Sequence, residues 1–184
     1  MAEVSYDIFN RMAVRKKRFK PKGKLMVTSV IEQNMSEPII RTKMVTAENF
    51  ATQKTITDCG EFGTIVFDEP VPHGGTGEGP SPLQGVLCAL CACESVTFNR
   101  TATEMGFEYE KLSFSAEYKI DIRGRLGMRG VTQHFKIVRL EIHVKTNETA
   151  ERLKEIVTET ELRCPVYNLI QNAGVDISCH WVRV

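Results

Sequence analysis

Apolar residues recur along this chain in two rhythms, and the rhythm changes at Ser81-Pro82. Before that point the texture is that of strands. KLMVTSVIEQ (24–33) is rich in β-branched residues, IIRTKMVTA (39–47) alternates, and TIVFDE (64–69) is a short apolar run after a Gly60 to Gly63 turn. Ser36-Glu37-Pro38 reads as a turn between antiparallel strands. The segment PVPHGGTGEGPSP (70–82) is glycine-rich with proline on both sides, so it reads as loop. From Leu83 to about Met105 there is no proline, and Val86 to Cys93 is almost wholly apolar. Ser81 suits an N-cap, Pro82 the first helical position and Gly106 the stop. The pattern predicts a long helix whose first half is buried on all sides.

Alternation returns over 112–124 and 135–146, with Gly124, Gly127 and Gly130 marking a loop between two strands. Residues 148–162 carry a helical stripe, Ala150, Leu153, Ile156 and Val157, with Asn147 as the expected N-cap. Cys164-Pro165 opens a further helix that Gly174 ends, and VDISCHWVRV (175–184) is a last strand. At the other end, Val4, Ile8, Phe9, Met12 and Val14 suggest an amphipathic helix over residues 1–20. The order is that of an α+β fold with antiparallel sheets: an N-terminal helical and basic extension (1–23), then one domain (24–184).

Composition narrows the function classes. The chain has 184 residues, 42% hydrophobic and 26% charged, enough for one folded domain. A net charge of +1 gives no strong field to steer nucleic acid. The basic stretch RKKRFKPKGK (15–24) is read as a solvated junction, because that charge is not sustained elsewhere. No window approaches the roughly 18 apolar residues of a membrane span, so no membrane role is expected. Acidic Glu3 and Asp7 argue against a secretory signal. Six cysteines are then read as free, catalytic or metal-bound thiols in a reducing compartment, and the protein as cytoplasmic.

Three of those cysteines, Cys88, Cys91 and Cys93, fall in one apolar stretch. Cys88-x-x-Cys91 lies inside the helix, beyond the first turn where the macrodipole would favour thiolate, so the pair reads as small buried hydrophobes. Cys93 is about 200° round the helix from Cys91, so the three cannot converge on one ion. Cys93 sits where the run turns polar and could reach the rim of a cleft. Cys164 precedes Pro165 at a helix start, where backbone N–H groups favour thiolate, and physical reasoning picks it as the better-activated thiol.

Phe67-Asp68-Glu69-Pro70, Gly74-Gly75, Gly79-Pro80-Ser81-Pro82-Leu83, Cys93 eleven residues after Pro82, and Cys164-Pro165-Val166 together resemble the OsmC/Ohr family over residues 62–184. The tail from Phe135 to Val166 is similar to its general OsmC-like branch. The resemblance implies an intertwined homodimer with two antiparallel sheets around long central helices and active sites at the subunit interface. It also implies a thiol peroxidase. Cys93 would be the peroxidatic nucleophile and Cys164 the resolving thiol, with a hydroperoxide as substrate, a dithiol reductant as partner and no metal or organic cofactor. The chain departs from the family pattern at the helix start, where Leu83 and Gln84 replace an acidic residue. The family's early arginine motif is also missing, and Arg41 is its loose counterpart. Those departures motivate an alternative, a non-catalytic OsmC-like protein that binds a small apolar ligand or a partner in the dimer cleft.

Overall fold

The computed structural model describes residues 38–184. The expected N-terminal helix, the basic stretch and the first expected strand lie outside these residues. So does most of the Ser36–Pro38 turn. Residues 38–45 run as exposed coil, and among the described residues the first regular element is the strand β1 at Thr46–Asn49. The alternation over 39–47 therefore yields a strand only at its end.

Strands β1, β2 (Thr55–Asp58) and β3 (Thr64–Phe67) form an antiparallel sheet in chain order, with Thr46 opposite Asp58 and Thr55 opposite Phe67. A loop then leads to the central helix α1, Pro82–Met105. Its limits follow from local chemistry. The Ser81 hydroxyl accepts the Gln84 N–H at 3.3 Å, and the Gln84 side-chain oxygen accepts the Ser81 N–H at 2.9 Å, a reciprocal capping box. Pro82 occupies the first turn, and Gly106 at φ 64° supplies the left-handed C-cap.

The first half of α1 is buried on one face only, against the expectation of all-round burial. Leu87, Leu90, Glu94, Phe98 and Thr101 form the buried stripe, while Val86, Cys88 and Val96 face outward in the single chain. Cys88 is thus exposed, not a core-filling residue.

The second sheet has the order β4-β5-β6, from Lys111–Lys119, Ile137–Lys145 and Asp176–Arg183. β4 and β5 pair antiparallel, but β5 and β6 pair parallel, with Leu140 opposite Cys179. The expectation of purely antiparallel sheets is corrected here. The chain crosses from β5 to β6 through two helices, α3 (Ala150–Arg163) and α4 (Pro165–Asn172), numbered after a one-turn α2 (Ile122–Arg125), and such a crossover returns the strand in the same direction. α2 interrupts the alternation expected over 112–124, because the Asp121 carboxylate accepts the Arg123 N–H and starts a turn. The N-cap of α3 is Thr149, not Asn147, its hydroxyl accepting the Arg152 N–H at 3.2 Å.

Val138, Leu140, Ile142 and Val144 line the inner face of β5 and join Leu87, Leu90, Phe98, Leu153, Ile156 and Ile170 in one core. Phe98 is its aromatic hub, stacked on Trp181 at 5.2 Å and edge-on to Tyr109 and Phe107. The fold places α1 across this core, so that its buried stripe meets the junction of α3 and α4.

Candidate functional site

That junction is where Cys164 sits. It ends α3, its N–H donating to the Thr160 carbonyl at 2.9 Å, and caps the start of α4. The Asn168 amide donates to the carbonyls of Glu161 and Cys164, each at 2.8 Å, and so fastens the two helices around the cysteine. Cys164 is fully buried and its thiol lies beside those of Cys93 and the carboxyl group of Glu94. Cys93, half-buried, projects from the same turn of α1 as Glu94. Two thiols 71 positions apart in the chain therefore meet.

The electrostatics reverse one expectation. Cys164 occupies a helix start, but burial pushes its thiol strongly up. The Tyr167 N–H offsets this in part, whereas the Glu94 carboxylate and Cys93 reinforce it. A helix N-terminus contributes at most about 1–2 kcal/mol, and full burial of a charge outweighs that. Cys164 is therefore held as a thiol, not as the thiolate its place in the sequence suggests.

Glu94 was not singled out by the sequence. It is fully buried, and neither carboxyl oxygen has a hydrogen-bond partner of ordinary geometry. Burial pushes its pKa up from 4.5 to about 7, with the nearby Cys164 thiol pulling it down and Glu161 adding to the rise. Glu161 is itself raised by burial, while the Trp181 indole N–H donates to it at 3.1 Å and pulls the other way. Burial also raises Cys179, on β6, with Glu94, Glu161 and Cys164 adding to the effect, and it holds Tyr167 up at about 12. The thiols thus sit among carboxyl and phenol groups that all favour the protonated state. The signal for Glu94 was present in the spacing of Leu87, Leu90, Glu94 and Phe98, an acid on the apolar stripe of a helix.

Of the other two sequence candidates, Gln84 does not join this cluster. Gln84 is committed to the Ser81 capping box, and about 13 Å of helix separates it from Cys93. Arg41 lies in exposed coil and, among the described residues, makes no ion pair. The head of α1 instead borders a cleft of about 200 Å³ lined by Glu69, Pro82, Leu83 and Arg125, where Arg125 donates to Glu69 at 3.1 Å. Among the described residues no group of His, Cys, Asp and Glu could hold a metal ion, and no helix is long and apolar enough to cross a membrane.

The glycine loop before α1 is built round a second buried acid. Asp68 accepts from the N–H groups of Glu69, Thr76 and Glu78 and from the Thr76 hydroxyl, at 2.6–3.1 Å. The turn leaves no room at Gly75, where a Cβ would lie 1.7 Å from the Glu69 carbonyl oxygen. Gly85 admits the ring of Phe67 against α1 in the same way.

Known proteins share this framework. A hydroperoxide reductase of Mycoplasma pneumoniae is 30% identical over 113 residues, 60% of this chain and 74% of its own. The crystal structure of an OsmC-like protein from the same organism superposes with a TM-score of 0.67 at 20% identity, covering 78% of this chain and 99% of that one. An organic hydroperoxide resistance protein OsmC of Legionella pneumophila gives 0.61 at 20% identity over 79% and 99%. Both structural likenesses speak to the fold. The family profile described as OsmC-like protein matches residues 75–180, from the glycine loop to the last strand and so across both thiols. Over that span, sequence and architecture agree, and the chain belongs to the OsmC-like protein family.

Proposed function

We propose that this chain is a thiol-dependent peroxidase that reduces organic hydroperoxides or hydrogen peroxide in defence against oxidative stress. The observation that carries the reading is the meeting of Cys93 and Cys164 at the α3–α4 junction. The hydroperoxide activity in the name of the Mycoplasma pneumoniae relative supports it. Cys93 is the accessible member of the pair and Cys164 the buried one, which suits a peroxidatic and a resolving role respectively. The Cys93 thiolate attacks the O–O bond, leaving a sulfenic acid and an alkoxide that is released as alcohol, or water from hydrogen peroxide. Cys164 then displaces the sulfenic hydroxyl as water and forms the Cys93–Cys164 disulfide. A dithiol reductant restores both thiols by exchange. The outward apolar residues of α1, Val86 and Val96 among them, support assembly as a homodimer in which a second copy covers that face and encloses the substrate cleft.

The test is peroxide consumption by the reduced protein. Wild-type protein is expected to consume one equivalent of cumene hydroperoxide per reduced pair and to yield a Cys93–Cys164 disulfide in peptide mass spectra. Cys93→Ser should abolish consumption, and Cys164→Ser should leave a sulfenic acid that dimedone traps. No consumption of cumene or hydrogen peroxide would overturn the reading. It would favour the alternative, a non-catalytic OsmC-like protein that binds a small apolar ligand or partner, which Gln84's commitment to helix capping supports.

A further inference from the structure

Burying a carboxyl group with both oxygens unpartnered costs several kcal/mol, so such a group is retained where it does something a neutral side chain cannot. We propose that Glu94 is the internal proton acceptor of the resolving step: its carboxylate takes the Sγ proton of Cys164 as that sulfur bonds to the sulfur of Cys93. The inference rests on the peroxidase reading for its substrate, though not for its test.

Three observations converge on Glu94. It is adjacent in sequence to Cys93, on the buried stripe of α1. Its carboxyl faces the Cys164 thiol without completing a hydrogen bond, so its lone pairs are free to accept. Cys164 is sealed from solvent, so its proton has no direct route to water. The groups that face Glu94 are Cys91 and Cys93 from α1, Glu161 from α3, Cys164 and Tyr167 from the start of α4, and Cys179 from β6. Among the described residues no basic side chain makes an ion pair with it. Of these groups, the two carboxyl groups are the ones whose oxygens, when ionised, can take up a thiol proton. Glu161 is already bonded to the Trp181 indole, which leaves Glu94 as the acceptor.

The step balances. The Cys164 S–H bond breaks and its proton passes to Glu94 as the S–S bond forms. The S–O bond of the Cys93 sulfenic acid breaks, and the departing hydroxide takes the proton back from Glu94 and leaves as water. One sulfur is reduced, the other oxidised, and Glu94 is regenerated. Proton transfer is concerted with bond formation, because burial disfavours a free Cys164 thiolate.

A peroxide-independent assay isolates this step. In full-length protein carrying Cys59→Ser, Cys88→Ser, Cys91→Ala and Cys179→Ala, Cys93 is converted with methyl methanethiosulfonate to its S-methylthio adduct. Attack by Cys164 then releases methanethiol, and acid quench with mass spectrometry follows the disulfide. The rate should rise with pH through an inflection near 7. Glu94→Gln should slow it by on the order of a hundredfold and remove that inflection. Glu94→Asp should restore an inflection, which a merely structural role would not do. Equal rates and profiles in Glu94→Gln and the parent protein would overturn the proposal, as would an adduct that Cys164 never displaces. A protein that resolves the adduct in this Glu94-dependent way but consumes no hydroperoxide would remove the peroxidase reading and leave the role of Glu94 standing.

Discussion

Asp68 and Glu94 are both buried carboxyl groups within one domain, and they are held in opposite ways. Asp68 receives four hydrogen bonds, three from backbone N–H groups and one from the Thr76 hydroxyl. The Thr76 hydroxyl, ahead of the backbone donors, holds its pKa well below the usual carboxylate range. Glu94 receives no ordinary hydrogen bond and is pushed up to about 7. Burial penalises charge in both cases, so the difference lies in the donors around each group. The satisfied acid organises a loop and the unsatisfied one stays poised to exchange a proton. The same residue chemistry yields structure or reactivity according to what the backbone offers it.

The contrast breaks most visibly at Asp68. In Asp68→Ala, three N–H groups and a hydroxyl lose their acceptor inside a loop too tight at Gly75 to rearrange. The melting temperature should fall on the order of 10 °C, measured by circular dichroism. Because the folded-state pKa lies below the unfolded one, the stability Asp68 supplies is present above about 3.8 and lost as pH falls below it.

Glu94 carries the opposite sign. Its folded-state pKa exceeds the unfolded value, so its stability is full below 4.5 and is lost as pH rises through about 7. A displacement of that size corresponds to about 3 kcal/mol. Glu94→Gln should therefore flatten the fall in unfolding free energy between about pH 5 and about pH 8, read from urea titrations. An unchanged slope would mean that Glu94 is already solvated or paired.

The boundaries of α1 were legible in the sequence because capping is local chemistry: Ser81, Pro82 and Gly106 mark it without reference to the rest of the chain. The family was legible from the glycine loop and the spacing of Pro82, Cys93 and Cys164, and the profile over 75–180 bears it out. Burial was not legible. Cys164 at a helix start looked activated because its N–H neighbours are sequence-adjacent, whereas the core that outweighs them arrives from α1 and β6. Glu94 looked like the polar edge of an apolar run, since glutamates are rarely buried. The parallel pairing of β6 also escaped, because strand direction follows from how two helices cross over and not from alternation.

The smallest of the expected effects tests whether the contrast between the acids is graded. The Thr76 hydroxyl is the strongest single cause of the low Asp68 pKa, yet the backbone donors remain if it is removed. Thr76→Val keeps the side-chain shape and the Thr76 N–H while deleting one O–H donor. The melting temperature should fall by about 3 °C near neutral pH, well short of the Asp68→Ala loss. The acid limb of the stability profile should also move to higher pH, because an Asp68 with fewer donors is protonated earlier. A Thr76→Val protein as unstable as Asp68→Ala would mean that the four bonds act as one cooperative unit. In that case the step from a satisfied acid to a poised one would be abrupt, with no partly satisfied state between Asp68 and Glu94.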